Sequence, residues 1–311
     1  MSTDPQVQAI LAMYAGLPAP DYATLRAVDY RAGVAQMQPV PLNEDVARVT
    51  ECVLPGPAGP LSARLYHPQP GALMPGIVFF HGGGWVACSV DSHDNICRRL
   101  ARLAGCAVLS VDYRLAPEAV FPAALDDGCA ALRWVAAHGA AFGIDASRLA
   151  VAGDSAGGNL AAACAQLARD PALELPPLRH QLLFYPVLDS GCGTPSYAAY
   201  AQGYLLTADM MRWFWRQYAP SAAARSDVRA APGLASSVAG LPAATVLLAQ
   251  CDPLHDEGWK YAERLRAAGV PVTLRSWEGL FHGFASMVGM LPAADEAVAV
   301  GAAEVRKALL G

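Results

Sequence analysis

Short apolar runs alternate along the chain with longer helix-like segments, and this pattern predicts most of the secondary structure. Several short runs, such as CAVLSVDY at 106–113, are apolar almost throughout, which is typical of strands covered on both faces. Because strands and helices alternate, the pattern predicts an α/β fold with a mostly parallel sheet. The predicted strands are 61–68, 75–82, 106–113, 148–154, 179–187, 244–252 and 270–278, and the predicted helices are 92–104, 121–141, 156–169, 256–268 and 293–310.

Two regions break this alternation. Residues 1–45 are helix-prone but interrupted at GLPAPDY and MQPVPL, and residues 188–235 replace a single crossover helix with a longer insertion. Two compatible interpretations of the insertion stay open: its bulky segment is a core helix, or it is part of a cap that lines an apolar pocket. The bulky residues of this segment are Met210, Met211, Trp213, Phe214 and Trp215.

Composition restricts the class of protein. With 311 residues, 54% of them hydrophobic, the chain can bury a large core, yet no apolar stretch has the length of a membrane helix. The net charge of −5 is not gathered into blocks, which argues against a nucleic-acid partner. The first ten residues lack the basic and apolar regions of a signal peptide, so we expect a cytoplasmic protein without membrane insertion.

The 8 cysteines and 7 histidines do not follow the spacing of a disulfide or metal site. No C-x-x-C pair occurs, and most cysteines lie in apolar segments such as GCAVLSV, which favours buried free thiols. A disulfide framework is not expected in a chain of this length without an export signal. The histidines lack ligand-like spacing, so no metal site is predicted.

Ser155 lies in VAGDSAGGNL, where a predicted strand meets a predicted helix. The residues from Gly153 to Gly157 fit G-x-S-x-G, which in this context indicates a sharp turn that exposes a nucleophilic serine. Side chains at the two glycines would crowd that turn, and the amide of Ala156 would face a developing oxyanion. The alternative is a glycine-rich phosphate loop or a plain turn.

A serine hydroxyl is a weak nucleophile without a base, and the order typical of this turn places an acid and then a histidine downstream. His282 follows the last predicted strand between Gly279 and Gly283. It therefore belongs to the sheet edge where open parallel sheets bind ligands. His255 is the competitor, but it lies at the start of a predicted helix, and His282 is the predicted base.

Asp252 is the predicted acid, because it ends a predicted strand and Pro253 follows it. Asp256 and Glu257 come a turn later, where acidic residues stabilise a helix N-terminus. For Asp252 the alternative is the role of a helix N-cap, which aspartate fills well.

Three consecutive glycines in FFHGGGWV end the strand predicted at 75–82 and precede Ser155 in the sequence. Glycines let backbone amides approach a substrate oxygen without interference from side chains. A lone GGG is usually a flexible turn. Followed by Ser155, Asp252 and His282 in this order, it predicts an oxyanion-binding loop.

These motifs resemble those of the hormone-sensitive-lipase-like (bacterial family IV) carboxylesterases of the α/β-hydrolase fold. The resemblance implies a hydrolase core formed by residues 46–187 and 236–311, covered by a helical cap from residues 1–45 and 188–235. The matching stretches lie between about position 75 and 285 and are HGGGW (81–85), DYRLAPE (112–118), GDSAGGN (153–159), CDPLHDEG (251–258) and FHGF (281–284).

The same resemblance implies roles for single residues. Asp154 would hold the turn, His81 would orient the glycine loop, and Arg114 and Glu118 would form a structural ion pair. The implied catalytic triad is Ser155, Asp252 and His282, and the implied oxyanion amides are those of Gly83, Gly84 and Ala156.

The activity implied is serine-dependent hydrolysis of short- to medium-chain esters, with a small-molecule ester as substrate and no metal or organic cofactor. We expect Trp85, Phe214 and Phe281 to line the substrate pocket. An amidase or deacetylase with the same triad is one alternative, and a non-catalytic small-molecule receptor on this fold is another. The sequence does not distinguish a monomer from a homodimer.

Overall fold

The computed structural model describes residues 4–16, 20–37, 41–42 and 44–311. In this part of the chain eight strands form one sheet in the order β1-β2-β4-β3-β5-β6-β7-β8. The pairs that β2 forms with β1 and β4 are antiparallel, and the pairs from β4 to β8 are parallel. The strands are β1 (Arg48–Gly56), β2 (Gly59–His67), β3 (Met74–Phe80), β4 (Ala107–Val111), β5 (Ile144–Asp154), β6 (Leu178–Phe184), β7 (Ala243–Cys251) and β8 (Val272–Phe281).

The predicted α/β class is confirmed, and each predicted strand and helix has a counterpart in the structure. The helix predicted at 121–141 ends at His138, and a short 3-10 turn from Gly139 to Phe142 follows it. The helices are α1 (Pro5–Ala15), α2 (Ala27–Ala35), α3 (Asp94–Ala104), α4 (Ala123–His138), α5 (Ala156–Leu167), α6 (Pro195–Ala199), α7 (Ala208–Tyr218), α8 (Ala222–Ser226), α9 (His255–Ala267) and α10 (Pro292–Leu310).

β1 has no counterpart among the predicted strands. This strand lies at the edge of the sheet and buries only alternate side chains: Cys52 and Leu54 face the core, whereas Val53 is 70% exposed. Pro55, which cannot donate a ladder hydrogen bond, lies within it. An edge strand of this kind lacks the continuous apolar run that identifies the central strands.

Helices cover both faces of the sheet, which explains the continuous apolar runs of the inner strands. Successive residues of β3 point to opposite faces. Val78 and Phe80 pack on the face covered by α4, α5 and α9, and Ile77 and Phe79 pack on the face covered by α3 and α10. Both faces of a central strand are therefore buried.

The N-terminal segment and the insertion after β6 meet through aromatic side chains. Tyr30 of α2 lies 5.2 Å from the ring of Trp213 and 5.5 Å from that of Phe214, both on α7. The indole N–H of Trp213 donates to the carbonyl of Leu25 (3.3 Å). These contacts agree with a shared cap, although its boundaries stay a prediction. Residues 17–19 and 38–40, within the two predicted interruptions of the N-terminal segment, lie outside the described residues.

The predicted ion pair between Arg114 and Glu118 is wrong. The Arg114 guanidinium instead contacts both carboxylate oxygens of Asp127 at 2.9 and 3.0 Å, and its backbone N–H donates to the same carboxylate. Glu118 accepts a bidentate interaction from Arg31 of α2 (2.6 and 2.8 Å). The two partners, Asp127 and Arg31, lie outside DYRLAPE. The spacing of residues within that motif does not indicate that they contact it.

None of the helices in the described ranges combines the length and the apolar character needed to span a membrane.

The corrected pairing predicts unequal effects on stability. Arg114→Ala leaves the Asp127 side chain, 1% exposed, without its cationic partner, and should lower the free energy of unfolding by about 3 kcal/mol. Glu118→Gln should cost less than about 1 kcal/mol, because the Glu118 side chain is 64% exposed. Urea unfolding measures both values, and a cost at Glu118 equal to that at Arg114 would contradict the assignment.

Candidate active site

Ser155 occupies a strained turn between β5 and α5. Its backbone has φ 56° and ψ −117°, a region that side-chain-bearing residues rarely adopt. Its N–H donates to the carbonyl of Phe184 (2.9 Å), and its own carbonyl accepts from the N–H groups of Asn159 and Val187. The end of β6 and the first turn of α5 together hold this conformation.

Two glycines make the turn possible. A Cβ atom at Gly157 would overlap the carbonyl of Phe80, and one at Gly153 would overlap the carbonyl of Gly157. These obstacles are backbone atoms, which cannot rotate away as a side chain can. The requirement for glycine predicted from the sequence is therefore steric and comes from the end of β3 as well as from the turn itself.

The structure brings together the three residues predicted as a triad. Asp252 and His282 follow the neighbouring strands β7 and β8, and their side chains reach back to Ser155. His282 Nε2 lies 2.8 Å from Ser155 Oγ, and His282 Nδ1 lies 2.7 Å from Asp252 Oδ2. Because the carboxylate accepts a hydrogen bond from Nδ1–H, Nε2 carries no proton and can accept the hydroxyl proton of Ser155.

The two alternatives for the acid and base do not match the geometry. The residue before α9 is Leu254, so Asp252 is not its N-cap, although Asp252 Oδ1 accepts from the Leu254 N–H (2.8 Å). His255 directs its Nδ1 at Asp256 (3.0 Å) and stacks on Trp259. It therefore does not take part in the chain of hydrogen bonds from Ser155.

The glycine loop lies beside Ser155 because β3 and β5 are paired up to Phe80 and Gly153. The N–H of Gly82 donates to Asp154 Oδ1 (2.9 Å). In the described part of the chain, the N–H groups of Gly83 and Gly84 have no acceptor. Ala156 begins α5, so its N–H has no partner within the helix. These three amides are therefore free to donate to a ligand.

The three aromatic residues predicted to line the pocket lie in different surroundings. Phe214 covers the glycine loop: a Cβ atom at Gly84 would overlap its ring. The Trp85 ring is fully buried and stacks on Tyr218 with 4.2 Å between the ring centroids. Phe281 is also fully buried and belongs to the apolar cluster on the α3 and α10 face. Neither Trp85 nor Phe281 therefore presents an accessible ring. The sequence shows that these side chains are aromatic but does not show in which direction they point.

The surroundings of the loop agree with the structural roles implied for His81 and Asp154. His81 Nδ1 contacts the carbonyl of Gly82 (2.7 Å), and its ring stacks on Tyr113. Burial lowers the pKa of His81 to about 3, so this imidazole is neutral. His93, which the sequence analysis did not single out, places Nε2 3.0 Å from Asp154 Oδ1.

Within the described ranges no group of three or more His, Cys, Asp or Glu side chains is arranged to hold a metal ion.

The fit between Gly84 and Phe214 predicts a coupled effect on stability. Gly84→Ala should cost about 2–3 kcal/mol, since the added methyl meets the ring and Gly84 has φ 62°. In a Phe214→Ala background the same change should cost about 1 kcal/mol, because only backbone strain remains. Urea unfolding of the four variants measures the coupling energy. Equal costs in both backgrounds would contradict the contact.

Comparisons with known proteins place this geometry in a family. The model of a family with the alpha/beta hydrolase fold matches residues 77–286, which is more than half of the chain. The chain is 44% identical over 268 residues to esterase LipI of Mycobacterium tuberculosis, covering 85% of this chain and 83% of that protein. It is 46% identical over 240 residues to ethyl acetate hydrolase of Pseudomonas putida, covering 76% and 75%.

A solved structure gives the same result over nearly the whole chain. The hyperthermophilic esterase of the archaeon Pyrobaculum calidifontis superposes with a TM-score of 0.91 at 39% identity and covers 99% of both chains. The chain therefore belongs to the alpha/beta hydrolase family, as a hormone-sensitive-lipase-like carboxylesterase.

Proposed function

We propose that this carboxylesterase hydrolyses short- to medium-chain esters of small alcohols through an acyl-enzyme on Ser155. The observation that carries the proposal is the continuous chain of hydrogen bonds from Ser155 Oγ through His282 to Asp252, at 2.8 and 2.7 Å. It begins at a serine held on a strained turn next to free backbone amides. This is the arrangement that activates a hydroxyl for attack on a carbonyl carbon.

In the first half of the reaction, Ser155 Oγ attacks the ester carbonyl while His282 Nε2 takes the hydroxyl proton. Asp252, fully buried, accepts from His282 Nδ1–H. It thereby fixes the tautomer that leaves Nε2 free to act as a base, and its charge stabilises the imidazolium that forms. His282 then protonates the departing alcohol, which leaves the acyl group on Ser155.

The tetrahedral intermediate places a negative charge on the former carbonyl oxygen. The N–H groups of Gly83, Gly84 and Ala156 have no acceptor among the described residues and would donate to it. Gly82 does not qualify, because its N–H already donates to Asp154. Donors that are aimed before the reaction begins cost no reorganisation when the charge develops, which makes such a site a large contribution to catalysis.

The second half repeats the chemistry with water. His282 Nε2 removes a proton from a water molecule, which attacks the acyl carbonyl, and the same amides stabilise the second oxyanion. The proton then returns from His282 to Ser155 Oγ as the carboxylic acid leaves. The cycle is complete with the chain's own residues and water.

The preference for short to medium chains rests on Phe214 and on one relative. Phe214 lies directly on Gly84 and is held by Tyr30 and Trp213, so the cap restricts the space next to the glycine loop. The relative from Pseudomonas putida is, by its name, an ethyl acetate hydrolase and acts on an ester of a two-carbon acid. Because Phe214 restricts this space, we expect the hydrolysis rate to be highest with short acyl groups.

Two substitutions test the mechanism on p-nitrophenyl esters from acetate to palmitate. Ser155→Ala and Asp252→Asn should each lower kcat by at least about 10⁴-fold, the first by removing the nucleophile and the second by favouring the wrong imidazole tautomer. The wild-type rate should fall from the medium to the long acyl chains.

Ser147→Ala is the matched control, since Ser147 is exposed near the start of β5, contacts the carboxylate of Asp145 and should leave kcat unchanged. Retention of most of the ester activity by Ser155→Ala would refute the mechanism. Faster cleavage of a matched p-nitroanilide than of the ester would instead identify an amidase.

A further inference from the structure

Residues 185–189, here called the strap, follow the end of β6 and contact two members of the triad. The ring of Tyr185 lies 4.6 Å from the imidazole ring of His282, measured between the ring centroids. The N–H of Val187 donates to the carbonyl of Ser155 (3.2 Å) and is one of the bonds that hold the strained turn. A shift of the strap would therefore disturb both the base and the nucleophile.

A buried carboxyl group holds the strap. Glu257 Oε1 accepts from the N–H of Leu188 at 2.9 Å, and Glu257 is 4% exposed. Glu257 lies in the first turn of α9, where an acidic residue usually stabilises the helix N-terminus. Here it also binds a segment that lies 69 residues earlier in the chain. The mechanism proposed above does not use this side chain.

The start of α9 is attached to the catalytic acid. Asp252 Oδ1 accepts from the N–H of Leu254 (2.8 Å), and the backbone carbonyl of Asp252 accepts from the N–H of His255 (3.1 Å). Glu257 therefore links the helix that begins beside Asp252 to the strap, and through the strap to the other two members of the triad.

The other contacts of the strap hold its carbonyl groups. The side-chain amide of Asn159 donates to the carbonyl of Val187 (2.9 Å), and the N–H of Gly233 donates to the carbonyl of Leu188 (2.8 Å). The N–H of Leu188, a fully buried residue, has Glu257 as its acceptor. A buried N–H that loses its acceptor is costly, so loss of Glu257 favours a shift of the strap towards another acceptor.

We propose that Glu257 is a positioning residue whose hydrogen bond to the Leu188 N–H keeps the strap where Ser155 and His282 require it. The part of the proposal that concerns catalysis rests on the esterase mechanism proposed above. A misplacement of about 1 Å at the reacting groups can lower a rate about 100-fold, even when its cause lies far from the chemistry. Glu257 acts through the strap and not on the reacting atoms.

The acceptor at this position does not need a charge. Burial raises the pKa of Glu257 well above its ordinary value, although the N–H groups of Leu188 and Asp189 oppose this shift. The nearby carboxylates of Asp189 and Asp252 raise the same pKa further. Burial and these two negative charges favour the neutral acid. A glutamine, whose Oε1 accepts a hydrogen bond without a charge, should therefore replace Glu257.

Two substitutions separate the acceptor from the volume of the side chain. Glu257→Met fills a similar space without a strong acceptor, and it should lower kcat about 10- to 100-fold with little change in KM. Glu257→Gln keeps the acceptor and should retain kcat to within about threefold. Wild-type kcat in folded Glu257→Met would overturn the positioning role, and so would a Glu257→Gln enzyme as slow as Glu257→Met.

Gln181→Met is the matched control. Gln181 is fully buried in the middle of β6, and its side-chain amide donates to the carbonyl of Pro242 (3.1 Å). Its replacement also leaves a backbone group without its partner, but away from the strap. This variant should lose thermal stability and keep its kcat. A fall in kcat equal to that of Glu257→Met would show a general loss of packing and overturn the specific role of Glu257.

Hydrogen–deuterium exchange of the intact protein, followed by peptide mass spectrometry, tests the contact without turnover. The peptide that covers the strap should exchange slowly in the wild type, and about 10-fold or more faster in Glu257→Met but not in Glu257→Gln. Rapid exchange in the wild type would overturn the proposal even if neither variant folds. Failure of the esterase mechanism, seen as full activity of Ser155→Ala, would leave the exchange result standing and remove only its link to catalysis.

Discussion

The close approach of the end of β3 to the turn between β5 and α5 is the constraint on which the site depends. The carbonyl of Phe80 lies where a Cβ atom of Gly157 would be, and pairing of Phe80 with Gly153 keeps the two strands in register up to the turn. This packing leaves Ser155 in a conformation that the isolated chain would rarely adopt. Three backbone hydrogen bonds and the buried core on both sides of the sheet stabilise this strained conformation.

The same approach accounts for the position of the oxyanion loop. Because β3 and β5 are neighbours, residues 82–84 leave the sheet next to Ser155, and Asp154 reaches across to the Gly82 amide. On the other side, β7 and β8 deliver Asp252 and His282 to the same sheet edge. In open parallel sheets, functional residues lie at the carboxyl ends of the strands. Here four strands contribute residues to one site.

Much of this was predictable from the sequence because it is local. The motif around Ser155 and the order of the following acid and base indicate both the fold and the residues that meet in space. Contacts between distant segments were not predictable in the same way. The partner of Arg114 is Asp127 rather than Glu118, and Glu118 pairs with Arg31 of α2, which no local pattern reveals.

The direction in which a side chain points was also not predictable from the sequence. Trp85 and Phe281 lie within the motifs HGGGW and FHGF, yet both rings are buried in the core, whereas the buried Phe214 packs on the glycine loop. The contact of His93 with Asp154 was not predictable for a related reason: a histidine at the start of a helix meets its carboxylate partner only after folding. Sequence motifs thus identify the reacting groups better than the residues that support them.

The central claim is that Ser155 is an activated nucleophile, and covalent labelling tests it most directly. The intact protein is incubated with diethyl p-nitrophenyl phosphate, and the site of modification is located by peptide mass spectrometry. One phosphoryl group per chain on Ser155, with little labelling in His282→Ala, is the predicted result. An unmodified Ser155, or labelling that proceeds equally without His282, would contradict the account.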